Sequence, residues 1–455
     1  MPATTTYDQS VLDQATLVPE VYGKVDFSIV PERLDHDATI DDERFASIRK
    51  PVGRVFDRPE LLKRMRNYTM TGDRVADAYA ALIPTHGLAT LISQVEQACA
   101  EGVDAVEDAP QELRDLIASM EATPDWLDLD LVRKGAAEER VPMATATPFA
   151  IRGAFLATFL NKYAALPMTM TGALSNEAAV KRVFETASFF TATTMPGALD
   201  RHGKGFQAAA KVRLMHSMVR FHLLRSNRWD VATYGIPIPQ VDQMPAGLIG
   251  VFMLSMKVLG SGRTTFTDDE RATVEVSRYR CFLLGLPADL LGETPQGIVD
   301  LLTARHVSLR EGYDDETCGT LVRGTMAVDL FDTSTIGGKV HAWLEDGFSR
   351  FVLIRQFMGG DTDRSDEMGI EFGLDKQVAA GLAALVVGTS ITGYRLGLRL
   401  PLVSGHVLLA TAFGVAVVIL RNGASWYHWQ TQARLPLNDN QIDVLDPWLM
   451  VSWAL

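Results

Sequence analysis

The sequence predicts an all-α protein, and three observations carry that expectation. Apolar residues recur at helical spacing through the stretch 207–224, where Val212, Met215 and Val219 share one face. Helix start signals precede further periodic runs, as at Asp57-Arg58-Pro59-Glu60, where Asp57 can cap and Pro59 suits the first turn. Long apolar stretches at 246–259, 377–394 and 400–420 fit core or membrane helices.

Taken in order, residues 1–44 read as an N-terminal arm, rich in acids and poor in apolar periodicity. A helix follows the Asp57 signal, and the run Gly72-Asp73-Arg74-Val75-Ala76-Asp77 opens a second, capped one. Residues 86–101 form an amphipathic helix. The acidic, turn-rich stretch 104–132 reads as a solvated face. Residues 141–170 are apolar but broken by Pro148 and Pro167, which suits buried core helices better than a membrane span. A strong helical pattern at 177–190 carries Arg182 and Thr186 four residues apart, hence on one face. A turn at 193–197 and a loop at 201–205 lead into the central helix, with His202 expected to be exposed. An extended turn, Gly235-Ile236-Pro237-Ile238-Pro239, precedes the apolar helix at 246–259, which Asp242 can cap. Two or three further helices occupy 293–358, and 361–376 reads as a polar linker.

Composition narrows the function. The chain has 455 residues, 47% of them apolar and 22% charged, enough for one large core or two domains. A net charge of −13 leaves no basic stripe, so no nucleic-acid partner is expected. Cys99, Cys281 and Cys318 are far apart, odd in number and without zinc spacing, which argues against a disulfide framework. The polar N-terminal stretch has neither a charged-then-apolar pattern nor a twin arginine, so no secretion signal is read and a cytoplasmic-side location is expected.

His216 falls between Val212 and Val219 on the apolar face of the central helix, with Arg213 and Arg220 three and four residues away. A histidine in that setting is ordinarily a core residue with satisfied ring nitrogens. From the pattern alone, core and ligand roles both stay open. His222, six residues on, points elsewhere, so a two-histidine metal pair on this helix is not expected.

The motifs Lys211-Val212-Arg213-Leu214-Met215-His216, Trp229-Asp230 and Gly235-Ile236-Pro237-Ile238-Pro239-Gln240-Val241-Asp242 resemble those of the latex-clearing-protein family. That family is part of a wider haem-oxygenase-type superfamily that includes the MpaB oxygenases. The resemblance covers about residues 50–370 as spaced motifs, the Gly72–Asp77 run and Arg278-Tyr279-Arg280-Cys281 through Gly285 among them. It implies a large helical haem-binding catalytic domain, at 45–360, with globin-like helical packing. It implies haem b as cofactor, with His216 as the proximal iron ligand. Arg213 and Arg220 become candidate partners of the haem propionates, since guanidinium matches carboxylate geometry. Arg182 and Thr186 become residues of the oxygen-binding side, where donors stabilise charge on reduced dioxygen. The implied activity is dioxygen-dependent attack on a carbon–carbon double bond of an apolar, isoprenoid or lipid-like substrate. The alternative is a haem- or lipid-binding membrane-associated protein without turnover.

Two departures qualify the resemblance. The rubber enzymes carry a lysine just before the threonine, whereas this chain has Glu185, a carboxylate suited to proton transfer. Their catalytic glutamate falls here on Leu166, and no acid lies between Gly153 and Ser175. Rubber is therefore a poor substrate expectation, and the place of a general base is open.

Residues 377–455 read as an apolar C-terminal helical extension. No charge falls in 377–394, and none but His406 is titratable in 400–420, so the pair is a candidate membrane hairpin, or else a buried one. The aromatics of 422–455 fit an interfacial belt or a packed tail equally well.

Overall fold

The structure, a computed structural model, describes residues 7–171 and 176–399. The second apolar run at 400–420 and the aromatic tail lie outside the described residues. Among the described residues helices dominate and no strand forms. One isolated antiparallel bridge joins Leu34 to Leu309. The all-α expectation holds.

The chain divides into two compact units, each built from separated segments. Of the described residues, the first gathers 7–136 and Pro196–Glu311; the second gathers those of Ala137–Met195 and 312–399. The sequence expectation of one continuous domain at 45–360 did not anticipate this interleaving.

In the first unit, the 22-residue helix Lys204–Arg225 packs against the helices Arg74–Ala80, Leu88–Glu101 and Asp268–Leu283. A second layer joins Gln240–Gly260 to Pro59–Thr69, Asp268–Leu283 and Pro295–Ser308, around Met65, Met244, Leu248 and Ile298. The helix Asp268–Leu283 starts at a full capping box between Thr267 and Glu270, and Arg263 grips Glu270 through two bonds of 2.7 and 2.8 Å. The N-terminal arm is not loose cover. Its Tyr7, Val11, Val21 and Tyr22 are buried in one cluster with Met70, Phe221 and Ile236. Three short turns of helix, too weak in periodicity to read from sequence, place those side chains.

In the second unit, Thr147–Leu156 crosses Ile336–Val352 so closely that a Cβ at Gly153 would strike the backbone carbonyl of Ser349. Beside that crossing Arg152 donates to Glu345 at 3.0 Å and to the carbonyls of Thr325 and Met326. The core surrounds Phe155, Leu156, Phe159, Leu321 and Leu353.

Three local expectations are corrected here. Asp57 ends the preceding helix Arg49–Phe56 and makes no side-chain cap, although Pro59 does open the next helix. Asp242 sits in the first turn of Gln240–Gly260 and pairs with Arg33 at 2.6 Å instead of capping. The stretch 361–376 is no free linker, because Met368 and Ile370 are buried in the second unit's core and Leu374–Arg399 already forms one helix. Ala379, Ala380 and Ala383 of that helix are buried, and its neighbour along this face is Ile336–Val352. Leu374, Val378, Leu382 and Leu385 are exposed. Among the described residues two helices, Gln240–Gly260 and one beginning at Leu374, are long and apolar enough to cross a membrane by length and composition. The first is a core helix of its unit; the second keeps an apolar face uncovered.

Candidate functional site

Burial along the central helix departs from the usual amphipathic rule in its middle, where cations are buried although Lys204 and Arg225 at its ends are exposed. Its charged residues Lys211, Arg213 and Arg220 are buried, whereas Val212, Met215 and His216 stay half-buried. A buried guanidinium is tolerated only when its charge and donors are met, and here they are. Arg213 donates through Nε and one terminal nitrogen to both Asp73 oxygens, and through the other to the Ser119 hydroxyl at 2.9 Å. Arg220 pairs with Asp77 and donates to the carbonyls of Pro237 at 3.0 Å and Ile238 at 2.6 Å. Tyr22 donates to the second Asp77 oxygen. Lys211 meets Glu96 at 2.8 Å.

These pairs give Arg213 and Arg220, expected as propionate partners, a structural task within the protein. Every nitrogen of both guanidiniums already donates to protein, so both serve to hold the helix in place. The residues that sequence reasoning missed are their partners. Asp73 and Asp77 stand one helical turn apart and meet arginines two turns apart. The signal was the four-residue spacing of the aspartates in the Gly72–Asp77 run, which read only as a cap. Asp73 does also cap, accepting from the Ala76 amide at 3.2 Å. The Arg220 anchor coincides with local strain: Ile238, a β-branched residue between two prolines, has φ +46°.

His216 has a specific partner. Its Nδ1 lies 3.2 Å from Oε1 of Gln243. Gln243 donates through Nε2 to Oε1 of Gln240 at 3.3 Å. Gln240 donates in turn to the carbonyls of Gly72 at 3.0 Å and Gly285 at 3.3 Å. Both glutamines are buried in the first turn of Gln240–Gly260, at 1% and 8% exposure. Gly285 has φ +88°, and a Cβ there would meet the Asp73 carboxylate and the Arg213 guanidinium, so only glycine fits. The far end of this chain of amides lines a polar cleft of about 650 Å³ with Lys63, Arg64, Tyr68 and Asp289. A separate cleft of about 770 Å³ is lined by Arg133, Asp200, Arg201, Phe206 and Tyr279, together with His202, which is exposed as expected. His222 lies off the His216 stripe, with Nε2 buried and unbonded; burial lowers its pKa, and Arg225 adds to the effect.

The other three predicted site residues belong to the second unit. Arg182, Glu185 and Thr186 lie within one turn of Asn176–Ala192, all half-buried, with Val183 and Ala187 buried beside them. Burial lowers the pKa of the Arg182 guanidinium, and the Glu185 carboxylate opposes that shift. Leu166, where the relatives' glutamate would fall, is half-buried in Lys162–Met170. The buried acid of this unit, Glu345, is pinned by Arg152 and accepts from the Ser349 hydroxyl at 2.8 Å, so it is a structural ion and not a replacement base. Among the described residues no group of three or more His, Cys, Asp or Glu could hold a bare metal ion.

Residues 142–352 match the catalytic-domain model described as ER-bound oxygenase mpaB/B'/Rubber oxygenase. The matched stretch contains Arg182, Glu185, Thr186, Arg213, His216, Arg220, Gln240 and Gln243. Among solved structures the chain is similar to latex clearing protein LCP in the closed state. The two are 20% identical with a TM-score of 0.54, over 78% of this chain and 91% of that one. No curated protein matches the chain. The likeness of the matched stretch is to this catalytic-domain model, and the fold is similar to that of the LCP structure.

Proposed function

We propose that this chain is a b-type haem-dependent oxygenase of the mpaB/rubber-oxygenase kind, acting on an apolar isoprenoid or lipid-like substrate. The observation that carries the reading is His216 itself. It lies beside the half-buried Val212 and Met215 on a helix whose Lys211, Arg213 and Arg220 are buried, and its Nδ1 is held by a buried amide. A histidine that serves the core is ordinarily fully buried, whereas this one is half-buried, as are Val212 and Met215. Iron-bound histidines ordinarily present one ring nitrogen to the metal and bond through the other to a protein acceptor, and the contact of Nδ1 with Gln243 supports that role.

Haem, when bound, supplies the iron at which dioxygen is activated. His216 would hold that group on one side, and the stripe of Val212 and Met215 would shield it from water. Arg182 and Thr186 supply a guanidinium and a hydroxyl, the donors suited to negative charge developing on dioxygen. Glu185, the residue directly before Thr186, takes the proton-transfer role that Leu166 cannot. Arg213 and Arg220 act through the helix they anchor, so the propionates would find their partners elsewhere. Residues 377–420 would bring the chain to a membrane from the cytoplasmic side, since an apolar substrate resides there. The exposed Leu374, Val378, Leu382 and Leu385 support that contact.

The test is dioxygen uptake by the haem-loaded protein with unsaturated lipids, and mass analysis for carbonyl products. Arg182→Met should lower turnover at unchanged haem content. A second reading, a haem or lipid carrier without turnover, is favoured by Leu166 standing where the relatives' glutamate falls. A haem-loaded protein that consumes no dioxygen with any unsaturated lipid would establish that reading instead.

A further inference from the structure

We infer that Gln243 is a positioning residue that fixes the tautomer of His216, and that Gln240 transmits to it an orientation set by two backbone carbonyls. The argument starts at the end of the chain that cannot turn. The oxygens of Gly72 and Gly285 are acceptors only. The Gln240 amide group facing them at 3.0 and 3.3 Å must therefore be its NH2. That orients Oε1 of Gln240 toward Gln243, which must answer with its own NH2, at 3.3 Å. Oε1 of Gln243 is then left facing His216 Nδ1 at 3.2 Å, and an amide oxygen can only accept. Nδ1 must therefore carry the proton, and Nε2 is the basic nitrogen. A flipped Gln243 would set its oxygen against the oxygen of Gln240, two acceptors in contact within a buried site, which the low local dielectric penalises.

The direction of the relay follows from burial and backbone, not from the histidine. Gln240 is further tied by its own amide, which donates to the Thr71 carbonyl at 3.0 Å. Thr71 and Gly72 directly precede Asp73, whose carboxylate anchors Arg213 on the same helix as His216. One loop thus sets both where the helix lies and which ring nitrogen of His216 is basic. A neutral amide, unlike a carboxylate, leaves the ring a neutral ligand without imidazolate character. The role of the tautomer in iron ligation rests on the haem reading; the tautomer itself does not.

The experiment is long-range 15N–1H correlation of the full chain labelled at histidine, with His216→Asn to assign the ring. Wild type should show His216 with a protonated Nδ1 and an unprotonated Nε2. Gln243→Leu should shift the tautomer ratio toward protonated Nε2 by about tenfold, the scale of one lost hydrogen bond. Gln243→Met keeps the side-chain volume but offers no amide oxygen and should shift the ratio as Gln243→Leu does, which excludes mere loss of packing as the cause. On haem titration, Gln243→Leu should weaken binding about 10–100-fold, the usual effect of removing a ligand's supporting partner. A protonated Nε2 in wild type, or a ratio unmoved in Gln243→Leu, overturns the relay even if haem binds through His216. The expected tautomer in a protein that binds no haem upholds the relay and overturns the haem reading alone.

Discussion

Replacing Asp77 by leucine tests whether Arg220 is an anchor of the fold or a partner of a bound group. Both side chains are fully buried, at 0% exposure. The substitution removes the counter-charge of Arg220 and the acceptor of the Tyr22 hydroxyl, and leaves Arg220 the carbonyls of Pro237 and Ile238 and a long contact of 3.5 Å to the Ser217 hydroxyl. Breaking a buried pair from one side costs about 3–5 kcal/mol, because a charge is left uncompensated. For a unit of about 250 residues, roughly 2 °C of midpoint per kcal/mol predicts a fall of about 6–10 °C. The double variant Asp77→Leu/Arg220→Met should recover part of that loss, with a coupling of about 2 kcal/mol or more between the sites. Recovery stays incomplete because three polar groups lose their partner. Thermal unfolding followed by circular dichroism, in the presence and absence of haem, reads all four corners of the cycle. A midpoint in Asp77→Leu within about 2 °C of wild type would refute the reasoning at this scale. Haem loss in Arg220→Met at an unchanged midpoint would restore the propionate role instead.

Gly153→Ala should destabilise the second unit by about 1–3 kcal/mol, the usual cost of overpacking, because the new methyl meets the Ser349 backbone and not a movable side chain; urea unfolding checks it. His222 carries a pKa lowered from 6.5 by burial, so the unfolded chain binds its proton more readily and stability falls as pH drops below about 6.5 toward the folded value. His222→Phe should therefore lose less midpoint between neutral and mildly acidic buffer than wild type, and an equal loss would contradict the assignment. Leu382→Asp with Leu385→Asp should weaken sedimentation with lipid vesicles more than tenfold, since each exposed leucine contributes about 1.5–3 kcal/mol when buried in lipid; unchanged sedimentation would remove this helix from membrane contact.

Much of the architecture was legible because helical periodicity is a local property. The central helix, the run around Arg182 and the apolar helix after Pro239 all announce themselves through spacing alone. His216 was legible as a candidate only because motif resemblance added to a pattern that, by itself, suits an ordinary core histidine. What the chain concealed was partnership at long range. Arg213 lies 140 positions from Asp73, and Arg220 lies 143 from Asp77. No local pattern distinguishes an arginine that meets a ligand from one that meets an aspartate on another helix. The linker at 361–376 misled for a related reason. It is polar on average, yet Met368 and Ile370 fill the core, and average composition does not reveal two residues with a fixed destination. Gln243 escaped notice because a glutamine in an apolar helix carries no periodic signal, and only its distance from His216 gives it meaning.

The central claim is that His216 holds a haem iron, and the ultraviolet–visible spectrum of the purified full chain, supplied with haem during expression, tests it most directly. Wild type should show a Soret band that is lost or shifted in His216→Ala, with the far-ultraviolet circular dichroism of the two proteins unchanged. Wild type without a Soret band, or a band indifferent to His216→Ala, would contradict the account.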